Sequence, residues 1–184
     1  MRERILWIDV IRGISILAMI TFHFAFDMMY FGFAKPDLIY QPDWRLFERL
    51  IAFSFLFIAG LSLSITHGAW INWKSFIRRY GVTAICAVLI STVTYVLFSD
   101  DMIRFGILHA ISVSGLIGLL LLKLNTFPLV LLAIMICFIN INIPKPLDGH
   151  YFWQWLIYTT DTPNSLDYRP IVPWITPFIL GMAS

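Results

Sequence analysis

The sequence predicts an all-α, polytopic helical membrane protein with about six transmembrane helices. Of its 184 residues, 59% are hydrophobic and only 13% are charged, whereas soluble domains carry about 25% charged residues. Apolar runs that approach the ~20 residues needed to cross a bilayer recur along the chain, between polar connections. The net charge is only +2 and no basic cluster suits a nucleic acid, so the lipid bilayer is the expected partner.

The apolar runs predict six helices in one transmembrane domain. The longest connection, 144–170, contains HYFWQWLIY, which is too short to span and rich in Trp and Tyr, as in an interfacial helix or re-entrant segment. The last helix falls short of a full span, which leaves open that further C-terminal helices are lacking. The predicted helices cover 5–28, 45–66, 80–98, 104–122, 127–143 and 171–184.

Two of these helices carry small residues at four-residue spacing, a pattern typical of close helix contact in membranes. Gly60 and Ser64 form such a pair in the second helix, and Ala110, Ser114 and Gly118 form a longer row in the fourth. We expect both faces to pack against other helices rather than against lipid.

The distribution of Lys and Arg predicts the orientation. With the N-terminus inside, the two sides of the membrane hold equal numbers of these residues. The inner connections are much shorter, so their density of positive charge is higher, which favours a cytoplasmic N-terminus. On this topology Arg2 and Arg4 are cytoplasmic and the loop 30–44 lies outside.

The first helix carries four ionisable groups in an otherwise apolar run: Asp9, Arg12, His23 and Asp27. At 100° per residue they fall within an arc of roughly 60°. Charge inside a membrane is costly, so this face is expected to look into the bundle or into a watery cavity. The other helices are therefore expected to form a wall around it.

His23 and Asp27 are four residues apart, so their side chains can meet on one helix face. A carboxylate beside an imidazole fixes its tautomer and raises its basicity, which is the arrangement of a general base with its orienting group. The alternative is a polar pair that grips a neighbouring helix.

Asp9 and Arg12 are three residues apart at the cytoplasmic end of the same helix. One interpretation is a salt bridge that makes both charges tolerable near the interface. The other gives Arg12 to an anionic ligand, since a guanidinium suits phosphate.

Three more basic residues lie on the same side of the membrane as His23. Arg49 is near the start of the second helix, and Arg104 and His109 are near the start of the fourth. They are candidates for binding substrate, or for pairing with loop carboxylates. The four histidines of the chain do not show zinc spacing, so no metal is expected.

These residues also fall within a known pattern. Arg12 and His23, in DVIRGISILAMITFH, resemble the Arg-x10-His signature of membrane acyltransferases. Four further blocks occur in order along the chain: FHFAFD, SFLFIAGLSLSI, RFGILHAI and RPIVPWITPFILGMA. Together they resemble the bacterial relatives of the heparan-alpha-glucosaminide N-acetyltransferase catalytic domain, and the resemblance covers nearly the whole chain.

The resemblance implies an acyltransferase of the bacterial inner membrane. Its donor would be cytoplasmic acetyl-CoA or another acyl-CoA, and its acceptor the amino or hydroxyl group of a sugar on the outer face. Phosphates are then expected near Arg12 and Asp9, and the thioester near His23, which acts as a general base or carries the acyl group itself. The rival interpretation is a small transporter or membrane-complex subunit whose polar face carries protons or substrate.

Overall fold

The structure is a computed structural model that describes residues 6–68, 70–142, 151–159 and 162–184. The described residues form helices and two isolated bridges, with no β-strand among them. The α-helices are α1 Leu6–Tyr30, α2 Pro42–His67, α3 Trp73–Leu97, α4 Ile107–Leu121, α5 Thr126–Asn142, α6 Tyr151–Gln154 and α7 Ile171–Ala183.

Three of these helices, α1, α2 and α3, are long and apolar enough to cross a membrane. The apolar helices α4, α5 and α7 have 15, 17 and 13 residues, below the ~20 of a full span. The all-helical membrane architecture is confirmed. The predicted six helices are present, but only half of them have the length of a complete crossing.

The centre of the bundle is the contact between α2 and α7. Gly60 of α2 lies against the backbone of Phe178, and Gly181 of α7 lies against the carbonyl of Phe57. A Cβ atom on either glycine would collide with backbone that cannot move aside, so these two positions let the helices approach closely. Around them lies a buried apolar core contributed by α2, α3, α4, α5 and α7.

The predicted small-residue face of α4 packs into this core. Ala110, Ser114 and Gly118 are all buried, and Gly118 leaves room for the side chains of Leu63 and Phe178. The prediction that Gly60 packs against another helix is confirmed as well, because Gly60 lies against the Phe178 backbone of α7.

Two glycine substitutions test this account of the packing. Gly60→Ala should destabilise the protein by about 1–3 kcal/mol, the usual cost of overpacking a core. Gly13→Ala is the matched control, because no atom lies within 4 Å of a Cβ built there, and alanine is the better helix former. Melting temperatures in detergent should fall for the first variant only; equal values would contradict the close α2–α7 contact.

Helix α1 lies at the edge of the bundle, and the expected wall of helices around its polar face is wrong. Its buried residues are Ile8, Ser15 and Ala25, and its main neighbour is α2. The physical reason is that the glycines that permit close backbone approach are on α2 and α7. These helices therefore occupy the centre, and α1 covers one side of α2.

Three predicted helix starts need correction. Helix α2 begins at Pro42 rather than at 45, with the proline in its first turn. Helix α3 begins at Trp73, seven residues earlier than expected, because the Asn72 side chain accepts a hydrogen bond from the Ser75 N–H and caps the helix. Helix α4 begins at Ile107 rather than at 104, because Phe105 forms a bridge to Tyr168.

The long connection before α7 returns across the start of α4. The Arg169 N–H donates to the Phe105 carbonyl at 2.8 Å, and the Ile171 N–H donates to the Trp155 carbonyl at 2.9 Å. Within the predicted interfacial segment, only the short α6 is helical among the described residues. His150, Arg2 and Arg4 lie outside the described residues.

Candidate active site

A cavity of about 380 Å³ lies where α1, α2 and α4 meet the returning loop. Most of its lining is aliphatic or aromatic. Five of the side chains that line it carry ionisable groups: His23, Glu48, His109, Asp167 and Arg169. A mostly apolar pocket with a few convergent polar groups is the usual form of a small-molecule site.

An ionic cluster forms one end of this cavity. Arg169 pairs through Nη2 with Oε1 of Glu48, and its Nε lies 3.5 Å from Oδ1 of Asp167. The other Asp167 oxygen accepts a hydrogen bond from the Ile107 N–H at 2.7 Å, at the start of α4. With two carboxylates and one guanidinium, the cluster carries a net negative charge when all three groups are ionised.

Burial acts differently on the two loop members of the cluster. It raises the pKa of Asp167, although Arg169 and the Ile107 N–H act in the opposite direction. Burial also opposes the charge of Arg169, but the carboxylates of Asp167 and Glu48 outweigh it, so the pKa of Arg169 is raised. Arg169 therefore remains a cation.

The Arg169 guanidinium is held on a further side by an aromatic ring. Its central carbon lies 4.8 Å from the centroid of the Trp174 ring, which is a cation–π distance. Trp174 in turn donates through Nε1 to the Tyr158 hydroxyl at 2.9 Å. These contacts fix the cation at the end of the cavity.

His109 has both ring nitrogens engaged within the protein. The Gly106 N–H donates to Nδ1 at 3.3 Å, and Nε2 lies 3.3 Å from Oγ of Ser91. The Ser91 proton goes to the Ile103 carbonyl, so Nε2 must be the donor to Ser91. These partners assign a neutral imidazole with its proton on Nε2.

His23 lines the cavity from the side of α1 and remains exposed. Within the described part of the chain, no hydrogen bond or ion pair joins it to Asp27, which is exposed and outside the cavity lining. The structure does not bring these two predicted partners together.

Asp9 and Arg12 form the predicted salt bridge, at 3.1 Å, with their side chains 34% and 40% exposed. Arg12 also donates to the Ser62 hydroxyl of α2, so it contributes to the contact between α1 and α2. Neither residue is among those lining the cavity. The predicted arc of four groups is thus divided between a helix contact, the cavity and the exposed surface.

The remaining predicted residues lie apart from the cavity. Arg49 follows Glu48 on α2, is exposed and is not part of the lining. Arg104, in the segment before α4, is also exposed and outside the lining. Of the three predicted substrate-binding residues, the structure therefore brings only His109 into the cavity.

The prediction missed three residues of the ionic cluster. Glu48 gave a signal, because it shares a helix face with Ala52 and Phe55, which are apolar and line the cavity with it. Asp167 and Arg169 gave none. They lie in an irregular loop, and their partners are 60 and 121 residues away along the chain.

A protein-family model matches residues 4–184, and its description is heparan-alpha-glucosaminide N-acetyltransferase, catalytic. The chain belongs to this family. The match spans every helix described above and confirms the family resemblance of the sequence blocks. All the residues that line the cavity lie within the matched region. No curated protein and no solved structure matches the chain significantly. In the described ranges, no group of three or more His, Cys, Asp or Glu residues is placed to hold a metal ion.

Proposed function

We propose that this protein moves an acetyl or other acyl group from cytoplasmic acyl-CoA to an amino or hydroxyl group of a sugar across the bacterial inner membrane. The observation that carries the proposal is the cavity that His23 lines together with the ionic cluster of Glu48, Asp167 and Arg169. Membership of an N-acetyltransferase family supports the reaction class.

His23 is the better general base of the two cavity histidines. Both nitrogens of His109 are committed to partners within the protein, so it serves to position the start of α4. Among the described residues, no hydrogen bond occupies either nitrogen of His23. Its imidazole can therefore accept the proton of an acceptor that lies in the cavity.

The ionic cluster suits an amine acceptor. Glu48 and Asp167 outnumber the single cation Arg169, so this end of the cavity favours a positively charged ammonium group. Loss of one proton through His23 to solvent would yield the free amine that attacks the thioester carbon. His23 then takes the second proton from the attacking nitrogen, the C–S bond breaks, and the coenzyme A thiolate takes up that proton. Transfer through an acyl-His23 intermediate is the second route.

The donor phosphates would bind at Arg12, whose side chain is held by Asp9 before the donor arrives. An ion pair this exposed contributes at most about 1 kcal/mol, so a phosphate can displace Asp9. Arg79 of α3 supplies a second guanidinium, close enough for its charge to act on that of Arg12. Arg49 and Arg104 are proposed contacts to the outer parts of the sugar acceptor.

The direct test measures coenzyme A release by purified protein in lipid nanodiscs. Acyl-CoA and an amino sugar are supplied together, with protein lacking the His23 side chain as the blank. Release of thiol that depends on the acceptor supports the proposal. Binding or transport of the sugar with no consumption of any acyl-CoA would replace it with the transporter interpretation.

Two variants separate the donor-binding role of Arg12 from its structural role. Arg12→Ala should raise the KM for acyl-CoA about ten- to a hundredfold and leave kcat nearly unchanged, because charge-assisted hydrogen bonds to phosphate contribute about 1.5–3 kcal/mol. Ser62→Ala removes only the partner of Arg12 on α2. If Ser62→Ala raised KM as much as Arg12→Ala, the contact between helices would explain the effect instead.

A further inference from the structure

We propose that the apolar part of the cavity is a binding site for an acyl chain longer than acetyl, so that the preferred donor is a medium-chain acyl-CoA. This inference rests on the proposed function and names its substrate class. Pockets of roughly 300–1,000 Å³ hold drug-sized ligands, and this cavity has a volume of about 380 Å³. An acetyl group, with two carbons, would contact only a small part of the aliphatic and aromatic lining.

The lining of the cavity is mostly apolar, and its ionisable groups are those of His23, His109 and the ionic cluster. Helices α1, α2 and α3 contribute six of the aliphatic or aromatic side chains, which we call the apolar part: Met19, Phe22, Ile51, Ala52, Phe55 and Ile90. A sugar in the apolar part would lose hydrogen bonds to water and gain none in return. A hydrocarbon chain has no such loss, so it is the occupant that this lining favours.

The position of His23 connects the chain site to the reaction. It lies four residues from Met19, so these two side chains are neighbours on one face of α1, and Phe22 lines the cavity with them. A thioester carbon at the His23 imidazole can therefore extend its alkyl chain among the apolar residues. The acceptor is then held by the ionic cluster, which lines the same cavity.

The chain length of the donor is the first test. Purified protein in nanodiscs is given acetyl-, butyryl-, hexanoyl- and octanoyl-CoA with the same amino sugar. We expect kcat/KM to rise roughly fourfold for each methylene that enters the site, until the space is filled. Highest activity with acetyl-CoA would overturn this inference and leave the proposed function standing. Absence of turnover with every donor would contradict the proposed function itself.

Three variants test the location of the site. Phe55→Ala enlarges the apolar part and should shift the optimum to longer chains, whereas Ala52→Leu reduces it and should shift the optimum to shorter chains. Phe53→Ala is the matched control, because Phe53 is on the same helix, is 42% exposed and does not line the cavity. An equal shift for Phe53→Ala would overturn the inference.

Photolabelling decides the question even if turnover is absent or a variant fails to fold. Wild-type protein is irradiated with octanoyl-CoA that carries a diazirine at the end of its chain, and the labelled peptides are identified by mass spectrometry. The label should fall on Met19, Phe22 or Phe55, and unlabelled octanoyl-CoA should prevent it. Labelling confined to exposed faces, without competition, would mean partition into lipid and would overturn the inference.

Discussion

Replacing His23 with alanine is expected to lower acyl transfer by about 10²–10⁴, the usual effect of removing a general base. The side chain lines the cavity, and no hydrogen bond or ion pair joins it to another of the described residues, so expression and acyl-CoA binding should be retained. The loss should therefore appear in kcat and not in the KM for acyl-CoA. Steady-state measurement of coenzyme A release with an amino sugar acceptor tests this.

Two control variants make the His23 result specific. Asp27→Asn is expected to cost little, because the structure does not join Asp27 to His23 by a hydrogen bond. His109→Gln should lower stability together with activity, since His109 caps the start of α4. Wild-type turnover of the His23→Ala variant would show that the assignment is wrong and would make His109 the next candidate. Failure of the variant to accumulate in the membrane would favour a structural role.

Removal of the Arg169 cation is expected to have the largest effect on stability. Arg169→Met leaves Glu48 and Asp167 facing each other without a counter-ion. Loss of one partner of a buried ion pair costs about 3–5 kcal/mol. The two carboxylates remain 28% and 24% exposed, so the lower end of that range is expected. Activity should be lost together with stability, because the polar end of the cavity loses its geometry.

The matched measurement uses melting temperature in detergent for three variants. Arg49→Met is the control, since Arg49 is the exposed neighbour of Glu48 on α2. Adding Glu48→Gln to Arg169→Met removes one of the uncompensated charges and should restore part of the stability, as coupled residues do. If the single and double variants melt at the same temperature, Glu48 and Arg169 are not energetically coupled.

Much of the fold could be predicted because it depends on local patterns. Apolar runs located α1, α2, α3, α4, α5 and α7, and the predicted ends of α5 and α7 lie within one residue of the observed ones. Four-residue spacing of small side chains identified the packed faces of α2 and α4. Prediction failed at the start of α3. The Asn72 cap starts the helix at Trp73, so the polar, aromatic segment 73–79, whose composition is typical of a connection between helices, is helical.

By itself, the sequence determined the helical membrane architecture, the family and the position of His23 on a polar face of α1. Only the tertiary structure decided which residues line a cavity together with His23. Glu48 and Arg169 meet across 121 residues, and Asp167 reaches Ile107 across 60, because the loop before α7 returns over the start of α4. Helical periodicity predicts which residues share a face of one helix, but not which irregular segment folds against that face. For the same reason, the central position of α2 and α7 and the peripheral position of α1 emerged only from packing.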